Sequence, residues 1–370
     1  MANATKTVIP VIDSDTHCDV TEATWEYMLP EEQEFKPTTG YPTGQDASQF
    51  DRRYWIIDGK RKPRGVDDEK KDQLTGTTLG TRTLTDVKTR LEHMDAMGIQ
   101  TQIIYPGLFD AEPATRPDVE IGIKRSYNRW LADGCAESGG RLRWICCPPM
   151  SDMDKALEEL RFAKANGAVG ILKKGDPEAG KWAPDPYFFP LYEEAQRLDL
   201  PICFHLGAGT PDFSPTREFN YGRFLRIKCA PVHGMYSLLL TGVPAQFPEL
   251  RFGVIETTAS WIPFVVYDLR RRLSRRDEVS IAPKFEYNVE EDLFAKNRVY
   301  VAIQVDEDLP MILRYIGEDN LLVGSDYGHH DPAKEPKFVD ALQGRVDQGD
   351  LPSSAVKKIL YDNPKAFYGV

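Results

Sequence analysis

Short apolar runs alternate with longer amphipathic stretches along most of the chain. Eight of the apolar runs have the length and composition of buried strands: TVIPVIDSDTH, QTQIIYPG, LRWICCPP, GAVGILKKG, PICFHLGAG, LRFGVIETT, VYVAIQV and NLLVGSDYGHH. Each is followed by a stretch with apolar residues at helical spacing, such as SYNRWLADGCAESGG or the closing AVKKILYDNPKAFYG. This alternation requires parallel strands with right-handed crossovers, and eight such units predict a single α/β domain over residues 1–370, a (β/α)8 TIM barrel. An open doubly wound sheet is the alternative, but no GxGxxG or P-loop motif follows any strand.

A polar insertion separates the first predicted strand from the regular part of the chain. It covers residues 20–80 approximately and is rich in Gly, Pro, Lys and Asp. Within it, YWIIDGKRKPRG has alternating apolar residues and a central Asp-Gly pair, which predicts a β-hairpin. Because an insertion after the first barrel strand lies at the mouth of the barrel, we expect this segment to act as a lid.

Composition and charge narrow the classes of function. The chain has 370 residues, of which 41% are apolar and 28% are charged, as in ordinary globular proteins. Its net charge of −11 and its lack of a basic stripe argue against nucleic acid or an anionic membrane surface as a partner. No apolar run is long enough for a transmembrane helix, and the N-terminus lacks the pattern of a signal peptide. The six cysteines form no CxxC pair and are typical of reduced thiols in a cytoplasmic protein.

Candidate chemistry lies at the carboxyl ends of four predicted strands. Asp15 and His17 end the first strand, His205 ends PICFH, Glu256 ends LRFGVIE and Asp326 ends LLVGSD. Since catalytic groups of (β/α)8 barrels lie at this end, four strands deliver imidazole and carboxylate groups to one rim. Such ligands suit Zn²⁺, Mn²⁺ or Fe²⁺, and the mixture does not select among them. Each group alone also has a structural interpretation, as a solvated strand end, a core histidine or a salt-bridged acid.

Several motifs together resemble those of a known family. They are VIDSDTH, RLEHMDAMGIQTQIIYP, FHLGAG, FPELRFGVIETTASWIPF, GSDYGHHD and DNPKAFYG, and they extend over nearly the whole chain. The sequence is similar to the amidohydrolase superfamily, in particular to the branch related to aminocarboxymuconate-semialdehyde decarboxylase. The resemblance implies that Asp15, His17, His205 and Asp326 bind a divalent metal ion, with Zn or Mn expected first and Fe as a further choice. On this interpretation Asp326 also moves protons during catalysis.

The sequence departs from the family pattern at two positions. The first-strand motif is Asp-x-His instead of the usual His-x-His, a change that some aromatic-acid decarboxylases of the branch share. Glu256 stands where many members have a His that helps to protonate the substrate carbon, so we interpret it as a general base or a metal ligand. His329, in GSDYGHHD, is expected to assist catalysis. Three further residues are expected to contact substrate: Lys174, which would hold a carboxylate, His233 and Tyr327.

These features predict a metal-dependent enzyme that hydrolyses or non-oxidatively decarboxylates a small carboxylated or cyclic organic substrate. Two alternatives stay open. The supply of acids and histidines, with Asp331 among them, would also serve two metal ions in an Fe/Fe or Mn/Fe oxygenase that hydroxylates a small substrate with O₂. The other alternative is a non-catalytic barrel subunit of such an enzyme. The expected partners are a small molecule and a second subunit, in a homodimer or a hetero-oligomer.

Overall fold

The fold is built around one parallel sheet. The computed structural model describes residues 9–40, 52–66, 68–110, 114–206, 224–275 and 293–370. In these ranges the chain forms the strands β1 (Ile12–Cys18), β2 (Thr38–Gly40), β3 (Arg52–Ile57), β4 (Lys60–Val66), β5 (Thr101–Pro106), β6 (Leu142–Cys146), β7 (Ala168–Lys173), β8 (Ile202–His205), β9 (Phe252–Ile255), β10 (Val299–Ile303) and β11 (Leu321–Val323). β1 and β5 to β11 form an eight-stranded parallel sheet in that order. Its two ends meet, since Thr16 forms a parallel bridge with Tyr327. The predicted (β/α)8 barrel is confirmed.

Helices connect the barrel strands, as the alternating pattern predicts. They are α1 (Asp68–Thr75), α2 (Leu79–Arg82), α3 (Val87–Ala96), α4 (Pro117–Ala136), α5 (Met153–Ala165), α6 (Phe189–Arg197), α7 (Ala230–Thr241), α8 (Val243–Gln246), α9 (Ile262–Leu273), α10 (Leu293–Lys296), α11 (Leu309–Ile316), α12 (Phe338–Asp347), α13 (Ser353–Lys357) and α14 (Asn363–Tyr368). The helix predicted in SYNRWLADGCAESGG begins earlier, at Pro117, because proline suits the first turn and acidic residues there favour the helix dipole. The predicted closing helix is interrupted by a π-helical turn at Lys358–Asp362.

The insertion contains the predicted hairpin. β2, β3 and β4 form a small antiparallel sheet in that order. Asp58 and Gly59 connect β3 to β4 with φ angles of 50° and 69°. Both residues therefore adopt the left-handed backbone that an Asp-Gly hairpin turn requires.

One contact stabilises the insertion internally, and another holds it near the rim at which the barrel strands end. Trp25 and Trp55 are fully buried, and their rings meet at 88° with centroids 5.7 Å apart. Lys334, in the segment after β11, donates from its ammonium to the carbonyl oxygen of Thr75 at 2.8 Å. The insertion is thus tied both within itself and to the carboxyl-terminal rim.

Two further features concern the cysteines and the helices of the described ranges. All six cysteines are free thiols, and five of them are buried while Cys229 is half-buried. No helix in these ranges combines the length and the apolar character that crossing a membrane would need.

Candidate metal centre

The predicted ligands converge at the carboxyl-terminal rim of the barrel. Asp15 and His17 lie in β1, His205 is the last residue of β8, Glu256 directly follows β9, and Asp326 follows β11. Their side chains are at most 4% exposed. Sequence reasoning therefore identified residues that belong to one buried cluster.

The donor atoms of this cluster face one another. Nε2 of His205 lies 3.3 Å from Oδ1 of Asp15 and 3.2 Å from Oε2 of Glu256. Nε2 of His17 lies 3.3 Å from Oδ1 of Asp15 and 3.3 Å from Oδ1 of Asp326. One ligand atom from each of Asp15, His17, His205 and Glu256 lies within 4.8 Å of the others. A single ion could therefore reach several of these donors.

Backbone carbonyls orient both imidazole rings. Nδ1 of His17 is 3.1 Å from the carbonyl oxygen of Tyr105, and Nδ1 of His205 is 2.9 Å from that of Leu206. A carbonyl only accepts hydrogen bonds, so both Nδ1 atoms carry the proton. When these rings are neutral, their Nε2 lone pairs point into the cluster, which is the arrangement of metal-binding histidines.

The carboxylate oxygens give an independent test of whether a metal ion fits. Both oxygens of Glu256 and both oxygens of Asp326 are buried and make no hydrogen bond of regular geometry within the described part of the chain. Their neighbours include the imidazole nitrogens of three histidines, His17, His205 and His329, at 2.9–3.3 Å. Burial of several carboxylates together costs free energy, and a cation among them removes much of that cost. The donor set therefore fits a divalent metal ion.

The pKa values reflect this concentration of charge. Burial lowers the pKa of His17, but the neighbouring Asp15 and Asp326 outweigh burial and raise that pKa to about 10. Burial and the nearby Asp15 raise the pKa of Glu256 well above its usual range. Burial alone would raise the pKa of Asp15, yet hydrogen bonds from His17 and His205 lower it. Without a metal ion, the cluster therefore retains protons that a bound cation would displace.

Two of the acids lie on unusual backbone. Glu256 and Asp326 have φ angles of 58° and 53°. Non-glycine residues rarely adopt this left-handed region, and they cluster at functional sites when they do. The chain thus turns sharply where each strand ends, and both turns leave the carboxylates buried in the cluster.

A second group of donors overlaps the first. Nδ1 of His329 is 2.9 Å from Oδ1 of Asp326, and its ring stacks on that of His17 with centroids 3.7 Å apart. Glu256, Asp326, His329 and Asp331 also present ligand atoms within 4.8 Å of one another. His329 therefore lies in the site as expected, and Asp331 joins it.

The three predicted substrate-binding residues each contact a different part of the barrel. Lys174 is buried just after β7, where its amide donates to Glu178 at 3.2 Å. His233 of α7 contacts Trp182, with ring centroids 4.9 Å apart. The hydroxyl of Tyr327 shares a hydrogen bond of 2.9 Å with His93 of α3. Their contact with substrate stays a prediction.

Sequence reasoning missed Arg90, which binds the strand that carries Asp15 and His17. Its guanidinium is fully buried and donates to the carbonyl oxygen of His17 at 3.1 Å and to Oγ1 of Thr16 at 3.2 Å. It also lies over the ring of Tyr327, 4.5 Å from the centroid. Arg90 belongs to an amphipathic helix in the sequence, where a buried arginine has no distinguishing pattern.

Lys228 is a second residue that sequence reasoning missed. A cavity of about 670 Å³ opens beside the centre, and its lining includes Lys228, Glu256, Gln304, Asp306 and Asp331. The ammonium of Lys228 donates to the carbonyl oxygen of Glu256 at 2.7 Å. Volumes of this order suit small organic ligands.

Comparison with known proteins finds a curated relative that matches part of the chain. Gamma-resorcylate decarboxylase of Rhizobium sp. strain MTP-10005 is 35% identical over 126 residues, which are 32% of this chain and 38% of that enzyme. The chain therefore matches well under half the length of that curated relative.

Solved structures match over nearly the whole fold. An amidohydrolase of Mycobacterium avium subsp. paratuberculosis K-10 superposes with a TM-score of 0.73 at 19% identity, covering 97% of this chain and 99% of that one. A 5-carboxyvanillate decarboxylase of Novosphingobium aromaticivorans DSM 12444, with bound manganese, has a TM-score of 0.68 at 16% identity and covers 98% and 97%. The amidohydrolase family profile matches residues 88–370. This confirms the predicted resemblance, and the chain belongs to the amidohydrolase family.

Proposed function

We propose that this protein is a divalent-metal-dependent carboxy-lyase that removes CO₂ from a small carboxylated aromatic acid without oxidation. The observation that carries the proposal is the buried cluster of imidazoles and carboxylates formed by Asp15, His17, His205, Glu256 and Asp326. The names of its relatives, gamma-resorcylate decarboxylase and 5-carboxyvanillate decarboxylase, support the substrate class.

In this proposal Asp15, His17, His205 and Asp326 hold the ion. The manganese in the related decarboxylase favours Mn²⁺, which a mixed set of imidazole and carboxylate donors accommodates. When bound, the ion supplies Lewis-acid stabilisation of negative charge on the substrate.

The chain's own residues supply the proton that replaces CO₂. The bond between the ring and the carboxyl carbon breaks, CO₂ leaves, and the ring carbon takes a proton. We assign that proton to Glu256, because its buried carboxyl group lies 3.2 Å from His205 in the centre, at the position where the family resemblance implies a His. Asp326 and His329, 2.9 Å apart, provide an exchange route, since the His329 side chain is 27% exposed and reaches solvent.

The insertion acts as a lid over this chemistry in our proposal. A second cavity at the rim is lined jointly by the insertion, through Trp55, Arg64 and Lys71, and by His329 and Asp331 of the centre. A lid at this place would exclude water while the ring carbon is protonated. We treat barrel and insertion as one functional unit.

Decarboxylation of defined aromatic acids tests this proposal. The manganese-loaded protein would be incubated with 2,6-dihydroxybenzoate and with 5-carboxyvanillate, and the loss of acid followed by chromatography. We expect turnover of at least one aromatic acid, with loss of activity after chelation and recovery with Mn²⁺. A protein that holds one equivalent of Mn²⁺ and turns over no aromatic acid would contradict the proposed reaction.

The overlapping donor groups favour a second candidate function. Glu256, Asp326, His329 and Asp331 could hold a second ion beside the first, as in a dinuclear oxygenase. Metal analysis separates the two functions. Two equivalents of Fe, or of Mn and Fe, with O₂ consumption would favour the oxygenase over the carboxy-lyase.

A further inference from the structure

We propose that Lys228 is the substrate-binding residue that holds the carboxylate of the acid beside the metal centre. This inference rests on the proposed function for the kind of substrate, and on the surroundings of Lys228 for the role. Lys228 lies in the π-helical turn Phe224–Cys229, just before α7, and its side chain is half-buried.

The position of the ammonium places it next to the reacting groups. Nζ of Lys228 donates to the carbonyl oxygen of Glu256 at 2.7 Å, and the Glu256 carboxylate is 3.2 Å from Nε2 of His205. One residue therefore links the ammonium to the buried cluster. A substrate carboxylate bound by Lys228 would bring its ring close to Glu256.

The bonding of Lys228 differs from that of the buried lysines of the barrel. Lys173 is 2.5 Å from a Glu178 oxygen, and Lys124 is 2.5 Å from a Glu120 oxygen. Within the described ranges, the hydrogen bond of Lys228 goes to a neutral carbonyl instead. An ammonium carries three donors, so hydrogen-bonding capacity remains for an anionic ligand.

The charges that line the cavity of about 670 Å³ show why an anionic substrate needs Lys228. The other charged residues of its described lining are acids: Glu256, Asp306, Glu307 and Asp331. The Glu307 carboxylate is occupied, since it accepts from the amides of Ser260 and Gln304 at 2.7 and 2.8 Å. A carboxylate that enters this acidic cavity is repelled unless a cation receives it, and Lys228 is the basic residue of that lining.

The test compares an acid with its neutral product. Binding of 2,6-dihydroxybenzoate, benzoate and resorcinol to the manganese-loaded protein would be measured by calorimetry for the wild type and for Lys228→Met and Lys228→Arg. Lys164→Met is the matched control, because the Lys164 ammonium also donates to a carbonyl oxygen, that of Asp199 at 3.3 Å. Metal content would be measured for every variant.

We expect Lys228→Met to weaken binding of the acids about 10- to 100-fold, the usual effect of losing a charged hydrogen bond. Resorcinol binding and metal content should not change, Lys228→Arg should restore much of the acid binding, and Lys164→Met should behave as wild type. Equal loss of acid and resorcinol binding would show that Lys228 only fixes the end of β9, and would overturn the proposal. A wild type with no preference for the acids over resorcinol would overturn it as well. Lysine-dependent acid binding without CO₂ release would contradict the proposed reaction alone.

Discussion

Two clusters of buried charge lie at the carboxyl ends of the barrel strands, and they differ in how their charges are compensated. At the end of β7, Lys173 is fully buried, 2.5 Å from Glu178, and its ammonium lies 4.1 Å from the ring centroid of Phe188. In the candidate metal centre, the carboxylates of Glu256 and Asp326 are also buried, but they face imidazoles, that of His205 at 3.2 Å and that of His329 at 2.9 Å.

This difference separates a structural cluster from a functional one. The Lys173–Glu178 pair compensates its own charge, so it needs no ligand. In the candidate metal centre, carboxylate oxygens and imidazole nitrogens face one another. The negative charge of these carboxylates can be compensated by protons or by a cation. Burial of charged residues alone therefore does not identify a site, whereas several buried carboxylates and imidazoles that face one another indicate one.

The largest expected effect is loss of metal in His205→Ala. This variant removes one proposed ligand of the ion, and we expect metal to be lost on dialysis while the barrel stays folded. The free energy of unfolding measured with chelator should change by only about 1–2 kcal/mol. Metal content by mass spectrometry checks this, with His93→Ala as a control that lacks contact with the ion. A full equivalent of metal in His205→Ala would identify His205 as a core histidine.

Glu256→Gln is the second variant, and it should affect reaction rate more than stability. It keeps the shape of the side chain and removes the carboxyl proton that the proposal transfers to the ring carbon. We expect decarboxylation to fall about 10²- to 10⁴-fold, the usual contribution of a general acid or base, with metal retained. Loss of metal would instead identify Glu256 as a ligand, and normal activity with normal metal would show that it is structural.

A Glu-to-Gln substitution in the Lys173–Glu178 cluster should instead affect stability more than reaction rate. Glu178→Gln leaves the ammonium of Lys173 buried without its counter-charge, so we expect a loss of about 3–5 kcal/mol in the free energy of unfolding. Urea denaturation measures the loss. The double variant Lys173→Met/Glu178→Gln should recover most of the stability, because it removes the unpaired charge and retains an acceptor for the amide of Lys174. A destabilisation of the double variant equal to that of Glu178→Gln would mean that the charge is not the cause.

The smallest expected effect concerns a partly exposed ion pair. Arg161 and Arg197 each lie 2.7 Å from Glu194, and hydrogen bonds led by that from Arg197 lower the Glu194 pKa to about 2. A lowered pKa stabilises the folded protein above the unfolded value of 4.5, and this stabilisation is lost as the pH falls toward 2. Glu194→Gln should therefore cost roughly 0.5–1 kcal/mol at pH 7, the size of a screened surface pair.

Urea denaturation at pH 7 and at pH 3 measures the pH dependence of this effect. The difference between Glu194→Gln and wild type should be smaller at pH 3. Glu193→Gln, at the exposed neighbouring position, is the matched control. An equal difference at both pH values would show that the effect of Glu194→Gln is not electrostatic.

The barrel and the convergence of five polar side chains at its rim could be predicted from the sequence for one physical reason. Parallel strands of a barrel all end at one rim, so a polar residue after an apolar run has a known place once the strands are identified. The strand pattern alone therefore predicts that Asp15, His17, His205, Glu256 and Asp326 lie together, and their binding of a metal ion stays a prediction.

The other residues depend on tertiary contacts that the strand pattern does not encode. Lys228 is one of several basic residues in YGRFLRIKC, and only the π-helical turn brings its ammonium to Glu256. Tyr327 lies next to a ligand in sequence, yet its ring packs under Arg90 and its hydroxyl reaches His93. The early start of α4 could not be predicted from apolar periodicity, because its first turn is largely polar.

Anomalous diffraction from crystals of the manganese-loaded protein tests the central claim most directly. The measurement locates the ion and counts its ligands without reliance on any substrate. We predict one strong manganese peak at the rim, roughly 2.0–2.3 Å from donor atoms of Asp15, His17, His205 and Asp326. A fully loaded protein with its manganese peak elsewhere, or with two or more of these four side chains out of reach of the ion, would contradict the account.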